Sequence, residues 1–163
     1  MAWPDDWLDR VAGTDCSLCA EGRPDDPPRG PRIHMGARCD AYLARAGTQR
    51  GWATVIWRGG HVIEPTDLSA EDAAEFWREV LTVGRAMQNH FNAFKMNYSV
   101  LGNRTPHLHA ILAARFMDDI APGGPIPVVE KTVFPPAEVA RDAEALRCLL
   151  AALASGPAPL KGA

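Results

Sequence analysis

No stretch of the 163 residues is apolar for long enough to cross a bilayer, and the chain has no excess of positive charge. Lys plus Arg total 17 against 20 for Asp plus Glu, and the formal charge of -3 gives no attraction to long nucleic acids or anionic membranes. A single small anion is a different matter, because a few local donors hold one phosphate whatever the net charge. An export signal is also missing. Asp5, Asp6 and Asp9 stand in the segment Met1 to Val11 where such a signal carries positive charge, and no apolar core follows. The expected location is therefore the cytoplasm, where thiols stay reduced, so the 4 cysteines read as metal ligands, reactive thiols or core residues. Internal repeats and low-complexity tracts are absent too. What is left has ordinary domain size and can bury roughly two thirds of the surface its unfolded form exposes, without disulfides.

Residues 22–32, GRPDDPPRGPR, combine Pro, Gly and Asp and predict an exposed loop between a short N-terminal segment and the main body. Residues 51–57, GWATVIW, have the β-branched and aromatic content of a strand, ended by Gly59-Gly60 just before His61. A helix follows Thr66-Asp67-Leu68-Ser69, with Ser69 and Asp72 spaced as a capping box. Ala73, Phe76, Trp77, Val80, Gly84 and Met87 give it one apolar stripe to lay on a sheet, and His90 falls where it caps the negative end. Two strands are predicted over 95–101 and 107–116, joined as a hairpin by the polar segment 102–106. After a Pro- and Gly-rich loop at 120–127, a second helix runs from about Pro136 to Leu153. Val139, Ala143, Leu146, Leu150 and Leu153 form its apolar face, Gly156-Pro157 stop it, and the tail from Ala154 is expected to fray. Hairpin connections in place of alternating crossovers indicate an antiparallel α+β domain.

On the strand 107–116 the two-residue period puts His107, His109, Ile111, Ala113 and Arg115 on one face and a uniformly apolar set on the other. Two histidines on one strand face, about 6.6 Å apart at the backbone, lie within reach of one metal ion or one phosphate. Cys16-x-x-Cys19 is a second pair of ligand-type residues.

Pro-His-Leu-His after Leu-Gly-Asn, downstream of a strand ending in His61 and the helix opening TDLS, resembles the histidine-triad (HIT) family, and the N-terminal Cys-x-x-Cys adds to the match. The resemblance spans roughly Asp15 to Phe116. It implies a nucleotide-binding α+β scaffold, an N-terminal segment over 1–14, a HIT-like domain over 15–120, and an extension over 121–163 whose one helix packs on the domain. It implies further that His109, as the middle histidine, is the nucleophile for a nucleotide α-phosphate. The same likeness implies that Cys16, Cys19, His61 and His107 bind zinc, and two thiolates with two imidazoles are a tetrahedral set that zinc accepts. Isoleucine at 111 stands where the family has its third histidine, and Ala114-Arg115 replaces Pro-Arg. Isoleucine neither donates a hydrogen bond nor transfers a proton. Ser99, Asn103, Arg104, Thr105 and Arg115 are the candidates for the missing phosphate donors.

Cys39 and Cys148 read as buried packing residues, the five tryptophans as core or dimer contacts, and His34 as the substitute fourth ligand should His61 be displaced. The expected activity is that of a nucleotide hydrolase or transferase working as a homodimer on a phosphoramidate, acyl-adenylate or dinucleoside polyphosphate. Two alternatives stand beside it. One is a nucleotide-binding scaffold without turnover; the other uses zinc among His61, His107 and His109 as a Lewis acid.

Overall fold

In the computed structural model, residues 3–127 and 130–155 are described. Five strands make one antiparallel sheet: β1 (Arg32–Met35), β2 (Cys39–Leu43), β4 (Trp52–Trp57), β5 (Lys95–Ser99) and β6 (His109–Arg115), in the order β1-β2-β4-β6-β5. A two-stranded ribbon, β3 (Ala46–Gly47) with β7 (Thr132–Val133), stands beside it. Two short helices, α1 (Trp7–Val11) and α2 (Ser17–Ala20), precede the sheet; α3 (Ala70–Phe91) links β4 to β5, and α4 (Pro136–Ser155) follows β7. This is the expected antiparallel α+β class.

Alternation along the strands gives the sheet two unlike faces. Cys39, Ala41, Leu43, Ala53, Val55, Leu108, Ala110, Leu112 and Ala114 join Phe76, Val80, Val83 and Met87 of α3 and Val139, Ala143, Leu146 and Leu150 of α4 in one apolar core. The Ser69 hydroxyl accepts the Asp72 amide at 3.1 Å, capping α3 as its spacing predicts. Gly84 is the contact point of α3 with β5, because a Cβ there would lie 2.4 Å from the Tyr98 hydroxyl. Glu79 is the one buried charge on the inner side of α3. It accepts the amides of Arg38 (2.8 Å) and Cys39 (3.1 Å) at the β1–β2 turn and lies 3.4 Å from His34 Nε2. Burial pulls its pKa up, but His34 and the Arg38 amide outweigh that and hold the carboxyl below its ordinary value.

The other face carries a much smaller apolar cluster, Cys16 and Leu18 from the N-terminal segment on Tyr42 and Ile56. Polar links complete the attachment. Asp40, fully buried, binds Arg23 and Arg58, while Glu21 binds Arg29 and Arg58. The guanidinium groups thus answer one carboxylate removed from water, Asp40, and one that is part-exposed, Glu21.

Several expectations change in detail. The strand predicted from 107 begins at His109, because the His107 amide turns back to the Thr105 carbonyl and puts His107 in a bend. The preceding strand stops at Ser99, so residues 100–108 form a longer connection than a tight hairpin. The last helix continues through Ala154 and Ser155, and Gly156-Pro157 lie outside the described residues. His90 does not end as a simple cap; its Nε2 meets Asp142 of α4 at 3.1 Å and ties the two helices. Cys148 is exposed, one step off the buried face of α4.

Candidate metal centre and nucleophile

The bend at His107 brings its ring under the N-terminal segment. There it joins Cys16, the N-cap of α2, Cys19 within that helix, and His61, just beyond β4. The four donor atoms lie within 4.8 Å of one another. Gly13 lets the chain pass close to His61: its φ is +76°, and a Cβ there would fall 2.7 Å from the ring.

Tautomers follow from the neighbours. His107 Nε2 is 2.7 Å from the Trp57 carbonyl and His61 Nε2 is 3.1 Å from the Val11 carbonyl. A carbonyl only accepts, so both Nε2 atoms carry the proton and both Nδ1 lone pairs are free. Those lone pairs face sulfur: His107 Nδ1 is 3.4 Å from both Cys16 Sγ and Cys19 Sγ, and His61 Nδ1 is 3.6 Å from Cys19 Sγ. Tetrahedral zinc with Zn–S near 2.3 Å and Zn–N near 2.0 Å has S···N edges of roughly 3.5 Å. The donor set therefore fits that ion in type and spacing, with the backbone carbonyls orienting the rings from outside. Burial lowers the His107 pKa and keeps the ring neutral, as a ligand must be. Burial and the adjacent Cys16 raise Cys19 to about 11, so without a cation this thiol keeps its proton. His34 belongs to the Glu79 contact and is not part of the cluster.

His109 opens β6, half-buried on the sheet face away from α3, opposite Ile56 of β4. Its Nδ1 lies 2.6 Å from the carbonyl of His107, so the residue held in the cysteine cluster also orients its neighbour. The proton sits on Nδ1, and the Nε2 lone pair is left for an electrophile. His109 is not among the four clustered ligands.

The remaining candidates separate. Arg104 and Thr105 line a cavity of about 240 Å³ together with Cys16 and Ser17, while Asn103 is exposed in the adjoining turn. Ser99 stands opposite Ile111 in the β5–β6 register. Arg115 is spent: it is buried and bound to Asp119, Asn97 and the carbonyls of Ala121 and Gly124, so it braces the loop after β6. Thr54, opposite Ile111 from the β4 side, was not singled out from the sequence. The period of β4 puts it on the same face as Trp52 and Ile56, but the register that sets it against residue 111 is a long-range property.

Fold and site define an α+β protein with a Cys2His2 centre beside a strand-borne histidine. The fold is HIT-like, and residues 36–116 match the model of the HIT domain, a family whose members are generally nucleotide-binding proteins and hydrolases. It is similar to a histidine triad protein from Marinobacter aquaeolei VT8 (25% identity, TM-score 0.69, covering 77% of this chain and 91% of that one). A histidine triad protein from Bradyrhizobium japonicum matches at 23% identity and TM-score 0.69, over 92% of this chain and 99% of that one. A zinc-bound histidine triad family protein from Mycobacterium smegmatis matches at 22% and TM-score 0.65, over 87% and 97% of the two chains. No curated protein matches the chain.

Proposed function

We propose that this protein is a nucleotide hydrolase or nucleotidyltransferase in which His109 Nε2 attacks an α-phosphate. The observation that carries this reading is the 2.6 Å contact of His109 Nδ1 with the His107 carbonyl, which fixes the tautomer that a nucleophilic Nε2 requires. Attack forms an N–P bond as the leaving group departs with the electrons of its bond to phosphorus. Water then cleaves the phosphoramidate and restores the ring.

Cys16, Cys19, His61 and His107 would hold zinc, and the bound ion supplies a cross-link, with all four positions filled by protein. Through it the N-terminal segment anchors His107, and His107 in turn orients His109. This geometry favours the structural role over a Lewis-acid site that includes His109.

Ile111 bears on the choice of substrate. No proton can come from that side chain, so a leaving group that departs as a stable anion is favoured. The carboxylate of an acyl-adenylate meets this condition, as does the phosphate of a dinucleoside polyphosphate; the amine of a phosphoramidate does not. The test is AMP release from all three substrate types. The expected order is acyl-adenylate and polyphosphate above phosphoramidate, with release lost by about 10³-fold or more in His109→Ala. Nucleotide binding without any AMP release would favour the non-catalytic scaffold.

We also assign the dimer contact to the outer side of α3 and the β5 edge, where Trp77, Leu81, Phe94 and Tyr98 are exposed. Sedimentation of the purified chain tests it.

A further inference from the structure

Of the four residues in the metal centre only Cys19 is exposed; Cys16 is 8% exposed, His107 is 2% exposed and His61 is half-buried. A small reagent therefore meets the Cys19 sulfur first. The second sulfur is close behind it. Both lie 3.4 Å from His107 Nδ1, and the four donor atoms fall within 4.8 Å of one another. Cys16 is the N-cap of α2, with extended backbone (φ -82°, ψ 107°), and its carbonyl accepts the Cys19 amide at 3.1 Å. Cα atoms one such turn apart are separated by roughly 5 to 6 Å, inside the range of about 4.4–6.8 Å that a disulfide spans. Side-chain rotation is enough to join the sulfurs.

No other pairing within the chain competes. Cys39 is fully buried in the apolar core under α3, and Cys148 lies on α4, which packs on α3 on that same side of the sheet. Cys16 belongs to the cluster on the opposite face. The sheet therefore stands between the two kinds of cysteine.

We propose that Cys16 and Cys19 are a reversible oxidation site for a peroxide, and that their disulfide unhooks the N-terminal segment from His107. The inference rests on the reading of these residues as a zinc centre, in which both sulfurs are held as thiolates, the nucleophilic form. The Cys19 sulfur attacks one peroxide oxygen: an S–O bond forms, the O–O bond breaks, and the departing hydroxide takes a proton to become water. The Cys16 sulfur then attacks that of Cys19; the S–S bond forms, the S–O bond breaks, and a second hydroxide leaves and is protonated to water. The two thiolates have lost two electrons, and one peroxide has gained them.

A disulfide is a poor donor to a cation, so two of the four ligands are removed at once, and the Nδ1 atoms of His61 and His107 lose the thiolates they faced. What still attaches the segment is the small cluster of Cys16, Leu18, Tyr42 and Ile56 with the Asp40 and Glu21 ion pairs. The ring of His107 keeps its contact with the Trp57 carbonyl, and its own carbonyl is the group that orients His109. Oxidation at Cys19 thus reaches His109 through one residue.

The reduced, zinc-loaded full chain is treated with hydrogen peroxide in slight excess, beside a sample without it. A chromophoric chelator reads released zinc, and intact mass with peptide mapping reads the sulfur state. The expected result is the loss of two hydrogens, mapped to a Cys16–Cys19 link, in step with release of one zinc per chain and faster tryptic cleavage before residue 30. Dithiothreitol with added zinc should reverse all three changes, and Cys148→Ser should alter none of them. Absence of the link, a link formed with the zinc retained, or oxidation that runs to sulfinic acid on Cys19 alone would overturn the inference. A chain that takes up no zinc yet forms the link and opens to trypsin would sink the zinc reading and keep the oxidation site. A chain that holds zinc and forms no link does the opposite.

Discussion

The two faces of the sheet are covered by different physics. On one, α3 and α4 bury a continuous apolar core, and the attachment is distributed over many side chains. On the other, the N-terminal segment contributes Cys16 and Leu18 to a cluster of four and otherwise depends on the Asp40 and Glu21 ion pairs and the Cys2His2 centre. Area secures the first face; a few specific bonds secure the second. The candidate chemistry sits on the second, so the orientation of His109 depends on links that a single substitution can cut and that, with the proposed zinc bound, a chelator would cut too.

Three experiments sharpen that contrast. Removing the metal, or replacing Cys16 by Ser, should have the largest effect. The melting temperature is expected to fall by on the order of 10 °C, which about 4 kcal/mol produces in a domain of this size. Limited proteolysis should then cut before residue 30 while helical circular dichroism is retained. Equal loss from both faces would remove the distinction. Asp40→Asn comes next, since it removes the buried carboxylate shared by Arg23 and Arg58 and leaves Arg58 with Glu21 alone; a loss of about 3 kcal/mol in denaturant unfolding is expected, with α3 and α4 still packed.

The smallest effect belongs to the helical face. Glu79 has its carboxyl held low in the folded state, so its contribution is present above the unfolded value near 4.3 and is lost as pH falls through the lower folded one. The wild type should therefore lose stability below about pH 4.3, and Glu79→Gln should show a shallower slope there. Melting temperatures between about pH 3 and pH 5 measure it, and parallel curves would remove Glu79 as a source.

Legibility followed the range of the interactions. The α3 stripe and its Ser69 cap are local; the cap, Phe76, Val80, Gly84 and Met87 stand where the sequence places them, while Trp77, counted in the stripe, turns outward and is exposed. The clustering of Cys16, Cys19, His61 and His107 was legible only through the family resemblance, since these residues are far apart in the chain. Period alone misplaced His107, whose ring lies on a bend, and it offered Arg115 as a phosphate donor. The donors of Arg115 are taken by residues 97 and 119–124, an arrangement set by the loop after β6. Cys148 was misassigned because one helical step separates the buried face of α4 from solvent. The pairing of Thr54 and Ser99 with Ile111 is tertiary and had no local signal.

The most direct test of the central claim is the covalent state of His109 after brief incubation with an acyl-adenylate and alkaline quenching, read by mass spectrometry and phosphorus NMR. A single AMP adduct on Nε2 of His109 is expected, since Nδ1 is engaged by the His107 carbonyl. An adduct on Nδ1, or AMP release that persists undiminished in His109→Ala, would contradict it.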